Sequence, residues 1–198
     1  MKILVFTPFK TASHSLLELL QTKLNFTTLR THGYLEKYLF LPRETTHIIT
    51  LDREDVELWM LSRMFQDIDQ LRHYPYAYSD NQEDVLRATP QQILDKFHAF
   101  DWSLYANDDY YFDKIKKEFG ISLKRGDYGI FTNDTTGQKV YYMSVEKFDD
   151  NLDLFASFLG VPVKTISDNF VHKNTAEEKW YSEKYATTKK LLIKERNK

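Results

Sequence analysis

The hydrophobic positions near the start of the chain form one continuous run followed by a helically spaced set. The run Ile3 to Phe6 is wholly apolar and is broken at Pro8, a pattern typical of a strand buried on both faces of a parallel sheet. Leucines then recur at positions 16, 17, 19, 20 and 24, which is helical spacing. The pattern therefore predicts a strand, a loop over 7–13 and a helix.

The same alternation continues through the first third of the chain. Apolar and β-branched residues predict strands over 27–30 and 47–51, and helically spaced residues predict a helix over 55–69. Strands that alternate with helices indicate an α/β fold, with parallel pairing through right-handed crossovers. The length fits a single domain over 1–198, in which the irregular segment 72–109 would be an insertion on the acceptor side.

The second half of the chain adds capped helices and a hairpin. The predicted elements are a short helix after Pro90, a helix over 113–119 that ends at Gly120, strands over 129–132 and 139–144 joined by a turn over 133–137, and a helix that ends at Leu159. We expect Thr89 to cap the first of these helices and Asp149 or Asp150 to cap the last. Thr175 and Glu178 form a capping-box pattern that would open a C-terminal helix.

Composition narrows the function classes. The 27 basic and 29 acidic residues are balanced, so no overall charge favours a nucleic acid or a membrane as partner. There is no cysteine, which excludes disulfides and thiolate metal sites, and the six histidines show no metal-ligand spacing. No segment is long enough for a signal-peptide core or a membrane span. We therefore expect a soluble cytoplasmic protein.

The loop between the first strand and the first helix carries the candidate chemistry. A loop that leaves a buried strand and enters a helix directs backbone N–H groups and the positive helix end at its ligand, which makes an anion site. Lys10 adds a point charge, and Thr11, Ser13 and Ser15 add hydroxyl donors. A Walker loop needs two glycines and this segment has none, which disfavours an ordinary ATP-binding loop.

The segment Lys10-Thr11-Ala12-Ser13-His14-Ser15 resembles the 5′-phosphosulfate loop of sulfotransferases, which is usually written Lys-Thr-Gly-Ser/Thr-x-Ser. The resemblance implies a P-loop-like three-layer sandwich, with a central, mainly parallel sheet flanked by helices. It also implies the donor PAPS (3′-phosphoadenosine 5′-phosphosulfate), with PAP as its product. The alternative for this loop is a helix cap at Ser13 beside an exposed Lys10. His14 could point into the donor site or lie on the helix surface.

A second element resembles the 3′-phosphate site of the same family. Arg53 follows the third predicted strand, and Ser62 lies on the next helix. In the family an arginine and a serine so placed bind the 3′-phosphate, and an arginine suits a phosphate because its grip can be bidentate. The spacing here is nine residues where many members have eight. The alternative is a solvated Arg53 and a packed Ser62.

Three later segments resemble sulfotransferases or one bacterial branch of the family, the capsular polysaccharide synthesis proteins with an Asn-Lys-Trp-Tyr-Ser signature. They are Tyr110 to Lys114 with Phe119 to Ile121, Val140 to Glu146 with Phe158 to Val161, and Glu178-Lys179-Trp180-Tyr181-Ser182. The last matches the signature in four of five positions. The resemblance implies that Lys179 adds positive charge near the nucleotide. The alternative is an amphipathic helix with its lysines in water.

The resemblance also implies a mechanism. Sulfuryl transfer proceeds by in-line attack and depends on positioning and charge stabilisation, as phosphoryl transfer does. Lys10 would stabilise the leaving oxygen, and Ser13 and Ser15 would bind the 5′-phosphate. The general base would follow the second strand, where His32 and Glu36 are the candidates. His32 titrates in the useful range, and Glu36 would need its pKa raised. The chemistry requires no metal.

The acceptor and the competing functions stay open at this point. Aromatic residues over 74–78 and 102–111 could stack on sugar rings, although such rings more often form a core. The resemblance is what implies that the acceptor is a glycan or a small molecule. One alternative is a small P-loop-like kinase, in which Asp52 would serve as the Walker-type aspartate. The other is a non-catalytic binding domain that has kept the fold and lost the site.

Overall fold

The computed structural model describes residues 1–7, 12–31, 45–69, 82–102, 108–171 and 179–198. It divides the chain into two compact units, one of Met1–Glu54 with Asn107–Lys173 and one of Asp55–Ala106 with Asn174–Lys198. The single domain with an insertion at 72–109 stays a prediction. Among the described residues, no helix combines the length and the apolar character that a membrane crossing needs.

The first unit is built on a five-stranded sheet. Its strands are β1 (Lys2–Phe6), β2 (Thr27–Thr31), β3 (His47–Asp52), β4 (Gly129–Thr132) and β5 (Lys139–Ser144). They lie in the order β2-β1-β3-β5-β4. β1 pairs in parallel with β2 and β3, β3 pairs in parallel with β5, and β4 is antiparallel to β5. The α/β class is therefore confirmed, with a mixed sheet.

The described helices of both units are numbered together in chain order. They are α1 (Ser13–Leu17), α2 (Val56–Asp69), α3 (Gln82–Arg87), α4 (Pro90–Ala99), α5 (Asp108–Phe119), α6 (Leu152–Leu159), α7 (Val163–Ser167) and α8 (Ser182–Arg196). A π-helix, Glu18–Lys23, continues α1, and a 3-10 turn, Asp149–Asn151, precedes α6. Helices α1, α5, α6 and α7 belong to the sheet unit, and the others belong to the second unit.

Both faces of the sheet are covered, as the continuous apolar strands require. Side chains alternate between the faces of a strand, and two separate clusters result. Val5 and Tyr141 pack in one cluster with residues of α1, α6 and α7, such as Phe155. Phe6 and Tyr142 pack in the other with residues of α5, such as Phe119.

The second unit has its own core between α2, α4 and α8. Phe65, Phe97, Tyr181 and Leu192 are buried there, and the rings of Phe65 and Tyr181 lie 5.4 Å apart between centroids. Its four described helices thus share one apolar interior.

Asp55 bonds both the start of α2 and the end of α8. Its Oδ1 accepts the backbone N–H of Leu58 at 3.0 Å, which caps α2. Arg196 at the end of α8 donates to both Asp55 oxygens, at 2.8 and 2.9 Å. The hydrogen bond from Arg196 holds the pKa of Asp55 below its usual value, so both the cap and the ion pair need the ionised carboxylate.

Most predicted elements are confirmed, including all five strands, the 133–137 turn and the cap of α4. Thr89 and Gln92 bond each other's backbone N–H groups there, at 3.3 and 2.8 Å. The cap predicted at Asp149 or Asp150 is wrong. Both residues lie within the 3-10 turn, whose first bond runs from Asn151 N–H to the Phe148 carbonyl, so the backbone satisfies itself without a side-chain cap.

The remaining differences concern the helices. Helix α5 begins at Asp108, five residues before the predicted start. The short helices α3 and α7 were not predicted. The C-terminal helix is present from Ser182, and the capping box expected from Thr175 and Glu178 lies outside the described residues.

Candidate functional site

Buried polar side chains follow the apolar strands at the carboxyl edge of the sheet. Thr7 comes directly after β1, and Thr31, Asp52 and Ser144 end β2, β3 and β5. Each is at most 7% exposed. Parallel strands end at one edge of a sheet, so the four residues line the same edge. The chain passes from β1 to β2 on one side and to β3 on the other, and open α/β sheets bind ligands at such a reversal.

The strands end at different heights along this edge. The last register pair of β1 and β3 is Val5 with Ile49, after which β1 has one more residue and β3 has three. At about 3.3 Å per residue, β3 therefore extends roughly 7 Å beyond β1. Asp52, the last residue of β3, therefore lies beyond the end of β1.

The connection from β1 to α1 has an unusual backbone conformation at Ala12. Its φ is 56° and its ψ is 17°, in the left-handed region that favours glycine. Ala12 precedes α1 as its N-cap, and its carbonyl accepts the N–H of Leu16 at 3.1 Å.

The serines that follow lie inside the helix. Ser13 begins α1 and is 5% exposed, and Ser15 is 4% exposed. The alternative of a cap at Ser13 is wrong, because Ala12 occupies the N-cap position and Ser13 is the first residue of the helix.

His14 is exposed on the first turn of α1 and contacts the edge strand β2. Its Nε2 accepts a hydrogen bond of 3.0 Å from Nη1 of Arg30. A guanidinium can only donate, so Nε2 carries no proton in this contact. Arg30 is thus brought to the start of α1, which the sequence did not predict.

Asp52 is the most enclosed charged group of the carboxyl edge. Its Oδ2 accepts a hydrogen bond of 2.5 Å from the Tyr142 hydroxyl. Burial raises the pKa of Tyr142, and its bond to Asp52 adds to the effect. Burial, and then the charge of Asp52, raise the pKa of Tyr128 to about 12, against a hydrogen bond with Ser144. Both phenols therefore stay protonated and donate.

Arg53 and Glu54 make contacts with the turn after β5. Nη1 of Arg53 donates to Oε1 of Glu146 at 3.2 Å, and the backbone N–H of Glu54 donates to Oε2 of Glu146 at 3.1 Å. Nζ of Lys147 lies 2.7 Å from Oε1 of Glu54. Arg53 is 34% exposed and paired with Glu146, so the alternative of a solvated arginine does not describe it.

Two predicted site residues belong to the second unit. Ser62 is half-buried on α2. Nζ of Lys179 pairs with Oδ2 of Asp69 at 3.0 Å, and Nε1 of Trp180 donates to Oδ1 of the same carboxylate at 2.7 Å. With Tyr181 buried, the Lys-Trp-Tyr part of the signature fastens the start of α8 to the end of α2.

Four predicted site residues lie outside the described residues. They are Lys10, Thr11, His32 and Glu36. Of the predicted site residues that the structure describes, Ala12, Ser13, His14 and Ser15 lie together at the start of α1. Arg53 lies at the carboxyl end of β3, the strand beside β1.

Four residues at this site were not predicted from the sequence to be part of it: Arg30, Tyr128, Tyr142 and Glu146. Tyr142 lies within a correctly predicted strand, and Glu146 lies shortly after the end of that strand. The available signal was that Arg53-Glu54 directly follows the end of one strand and that Glu146-Lys147 lies one residue after the end of another. Their pairing depends on β5 lying next to β3, which the hydrophobic pattern does not specify.

The fold and the edge together define an α/β protein with a polar cluster at the carboxyl ends of its parallel strands. No protein-family model, no curated protein and no solved structure matches the chain.

Proposed function

We propose that the chain is a sulfotransferase, which moves the sulfuryl group of PAPS to a hydroxyl or amine of a glycan or small molecule. The observation that carries the proposal is the left-handed conformation of Ala12 between β1 and α1. A residue with a Cβ pays about 1–2 kcal/mol to adopt it. The chain has the glycine-type conformation at the glycine position of the sulfotransferase loop, although its residue there is alanine.

The surroundings of the loop support the same proposal. β1 is buried and ends where the strand order reverses, and α1 begins at Ser13, directly after Ala12. We propose that the loop between them meets an anionic ligand with its backbone N–H groups. A P-loop-like three-layer sandwich is the finer form of the fold that we propose. Ser13 and Ser15 both lie on the first turn of α1 and are buried, and we propose that they serve the 5′-phosphate.

The proposed roles follow from the chemistry of sulfuryl transfer. The acceptor oxygen or nitrogen forms a bond to sulfur as the bond from sulfur to the bridging oxygen of the donor breaks. Lys10 would neutralise the charge that develops on that leaving oxygen. The acceptor proton would pass to His32 or Glu36. Arg53 would bind the 3′-phosphate of the nucleotide.

Calorimetric titration with PAP, AMP and ATP tests the proposal directly. We expect micromolar binding of PAP and much weaker binding of AMP, which lacks the 3′-phosphate. Lys10→Ala should weaken PAP binding by about tenfold or more, because a charge-assisted contact contributes roughly 1.5–3 kcal/mol.

Lys23→Ala is the matched control. Lys23 is exposed at the far end of the π-helix that continues α1, so its removal should leave PAP binding unchanged. A folded wild-type protein that does not bind PAP would exclude the sulfotransferase function.

The second candidate is a nucleotide-dependent kinase, which the position of Asp52 favours. This buried carboxylate ends β3 beside β1, where a Walker-type aspartate would assist a nucleotide-bound magnesium ion. Binding of ATP that requires Mg²⁺, exceeds PAP binding and is lost in Asp52→Asn would support it. If neither nucleotide binds, the remaining proposal is that the chain is a non-catalytic binding domain.

A further inference from the structure

The residues on either side of Arg53 are both bonded to one short segment, 142–147. Asp52 precedes Arg53 and is bonded twice. Its carboxylate accepts a hydrogen bond from the Tyr142 hydroxyl at 2.5 Å, and its backbone carbonyl accepts one from the N–H of Val145 at 3.0 Å. Asp52 is 5% exposed. The chain that enters Arg53 is therefore fixed by a buried side-chain bond and a backbone bond.

The chain that leaves Arg53 is fixed by the same segment. The N–H of Glu54 donates to Oε2 of Glu146, and the Glu54 carboxylate pairs with Lys147. Both contacts come from the turn directly after β5. Arg53 is thus presented from a turn whose backbone is bonded on both sides, at the edge of the sheet where β3 extends beyond β1.

Glu146 contacts both the backbone of this turn and the arginine side chain. One oxygen accepts from Glu54 N–H, and the other accepts from Nη1 of Arg53 at 3.2 Å. The two side chains are 34% and 33% exposed, and such a pair contributes only about 0–1 kcal/mol to folding. Its larger effect is geometric, because a carboxylate fixed at one oxygen restricts the plane of a guanidinium bound at the other.

We propose that Glu146 is a positioning residue that orients Arg53 toward a phosphate-bearing ligand. The inference rests on the proposed function, in which Arg53 binds the 3′-phosphate of PAPS. Bidentate recognition of a phosphate depends on the orientation of the planar guanidinium. The positioning is done by the hydrogen-bond acceptor and not by the charge, since a negative charge beside a phosphate is repulsive.

The test compares Glu146→Ala with Glu146→Gln in titrations with PAP and AMP. Alanine removes both acceptors, and we expect PAP affinity to fall about tenfold, the scale of one phosphate contact. AMP affinity should not change, because AMP has no 3′-phosphate. Glutamine removes the charge and keeps one acceptor oxygen, while its NH2 group faces either Glu54 N–H or Nη1 of Arg53. It can therefore satisfy only one of the two donors and should restore PAP affinity in part.

Glu83→Ala is the matched control. Glu83 accepts a bond from Arg87 at 3.3 Å and is 75% exposed in the second unit, so its loss should alter neither titration. Thermal unfolding of each variant, by circular dichroism, verifies that it is folded.

The outcomes separate the inference from the function on which it rests. Tighter PAP binding by both Glu146 variants would show that Glu146 competes with the phosphate for Arg53, and unchanged binding by both would show that it has no role. A parallel loss of PAP and AMP affinity would indicate a general structural defect. Each of these three results overturns the positioning role. Failure of the wild-type protein to bind PAP would instead refute the proposed function itself.

Discussion

Tyr141 and Tyr142 are neighbours on β5 and both are fully buried. Their side chains enter different clusters on opposite faces of the sheet. The Tyr142 hydroxyl bonds Asp52, whereas the Tyr141 hydroxyl has no hydrogen-bond partner among the residues that the structure describes. Burial is the largest cause of the raised pKa of Tyr141, and the charge of Asp153 adds to it. Tyrosine therefore has opposite effects on the two faces of the sheet. Tyr142 adds a hydrogen bond on one face, and Tyr141 buries a hydroxyl without a partner on the other.

Replacing each tyrosine by phenylalanine should therefore have opposite effects. Tyr141→Phe removes a desolvated hydroxyl without breaking a bond and should raise the free energy of unfolding by about 1 kcal/mol. Tyr142→Phe removes a bond to a buried carboxylate and should lower it by about 1.5–3 kcal/mol. Urea unfolding of the two variants measures both changes, and equal losses would show that the Tyr141 hydroxyl is bonded after all.

The residue scale also shows what the sequence could and could not reveal about the site. The polar loop after β1 was recognisable from residue types alone. The left-handed conformation of Ala12 was not, because alanine carries no preference for it. The contact of Arg30 with His14 and that of Arg53 with Glu146 each join residues far apart in the chain. Such contacts depend on strand order, which local patterns do not contain.

At the scale of elements, the end of α5 depends on a glycine and an asparagine from the hairpin. Gly120 follows α5 with φ +67°, and an added Cβ would lie 2.7 Å from Nδ2 of Asn133. That nitrogen donates to the Phe119 carbonyl at 2.7 Å, and Oδ1 of Asn133 accepts the N–H of Thr135 at 2.9 Å. The amide is bonded at both ends and has little freedom to move away.

Gly120→Ala and Gly137→Ala make a matched pair. Both glycines have a positive φ, and a Cβ at Gly137 would meet nothing within 4 Å. Gly137→Ala should lower the free energy of unfolding by about 1–2 kcal/mol from backbone strain alone. Gly120→Ala should lower it by roughly 1 kcal/mol or more beyond that, because the Asn133 bonds are also disturbed. Comparable losses in chemical denaturation would argue against the Asn133 contact.

Elements were predictable where one local signal was strong. Continuous apolar runs identified β1 and β3, and the Thr89 cap and the 133–137 turn were predicted from their own residues. The π-helix after α1, by contrast, depends on the packing of Leu19 and Leu20 against the sheet. Asp149 and Asp150 resemble caps in sequence, yet the burial of Phe148 draws them into a 3-10 turn.

At the scale of the whole molecule, His47 makes stability depend on pH. Burial lowers the pKa of His47, and the nearby Lys139 adds to the effect. The unfolded chain therefore takes up a proton that the folded protein does not as the pH falls below about 6.5, and stability is lost in that direction. Above that pH His47 is neutral in both states and contributes no pH dependence.

We expect the wild-type protein to be less stable in urea at pH 5.5 than at pH 7.5. His47→Gln should reduce the difference between the two pH values, because glutamine takes up no proton in this range. Between pH 7.5 and 8.5 the two proteins should change in parallel. An equally large loss of stability below pH 6.5 in the variant would assign the effect to other groups.

The division of the chain into two discontinuous units has a consequence for its synthesis on the ribosome. The last stretch of the sheet unit ends at Lys173, so all of its residues are made before α8. The second unit, in contrast, needs α8, because Tyr181 and Leu192 are part of its core and Lys179 and Trp180 bond Asp69. Chains grow at about 5–20 residues per second and folding units form as they emerge. The apolar face of α2 must therefore wait, exposed or held by a chaperone, while more than half of the chain is still being translated.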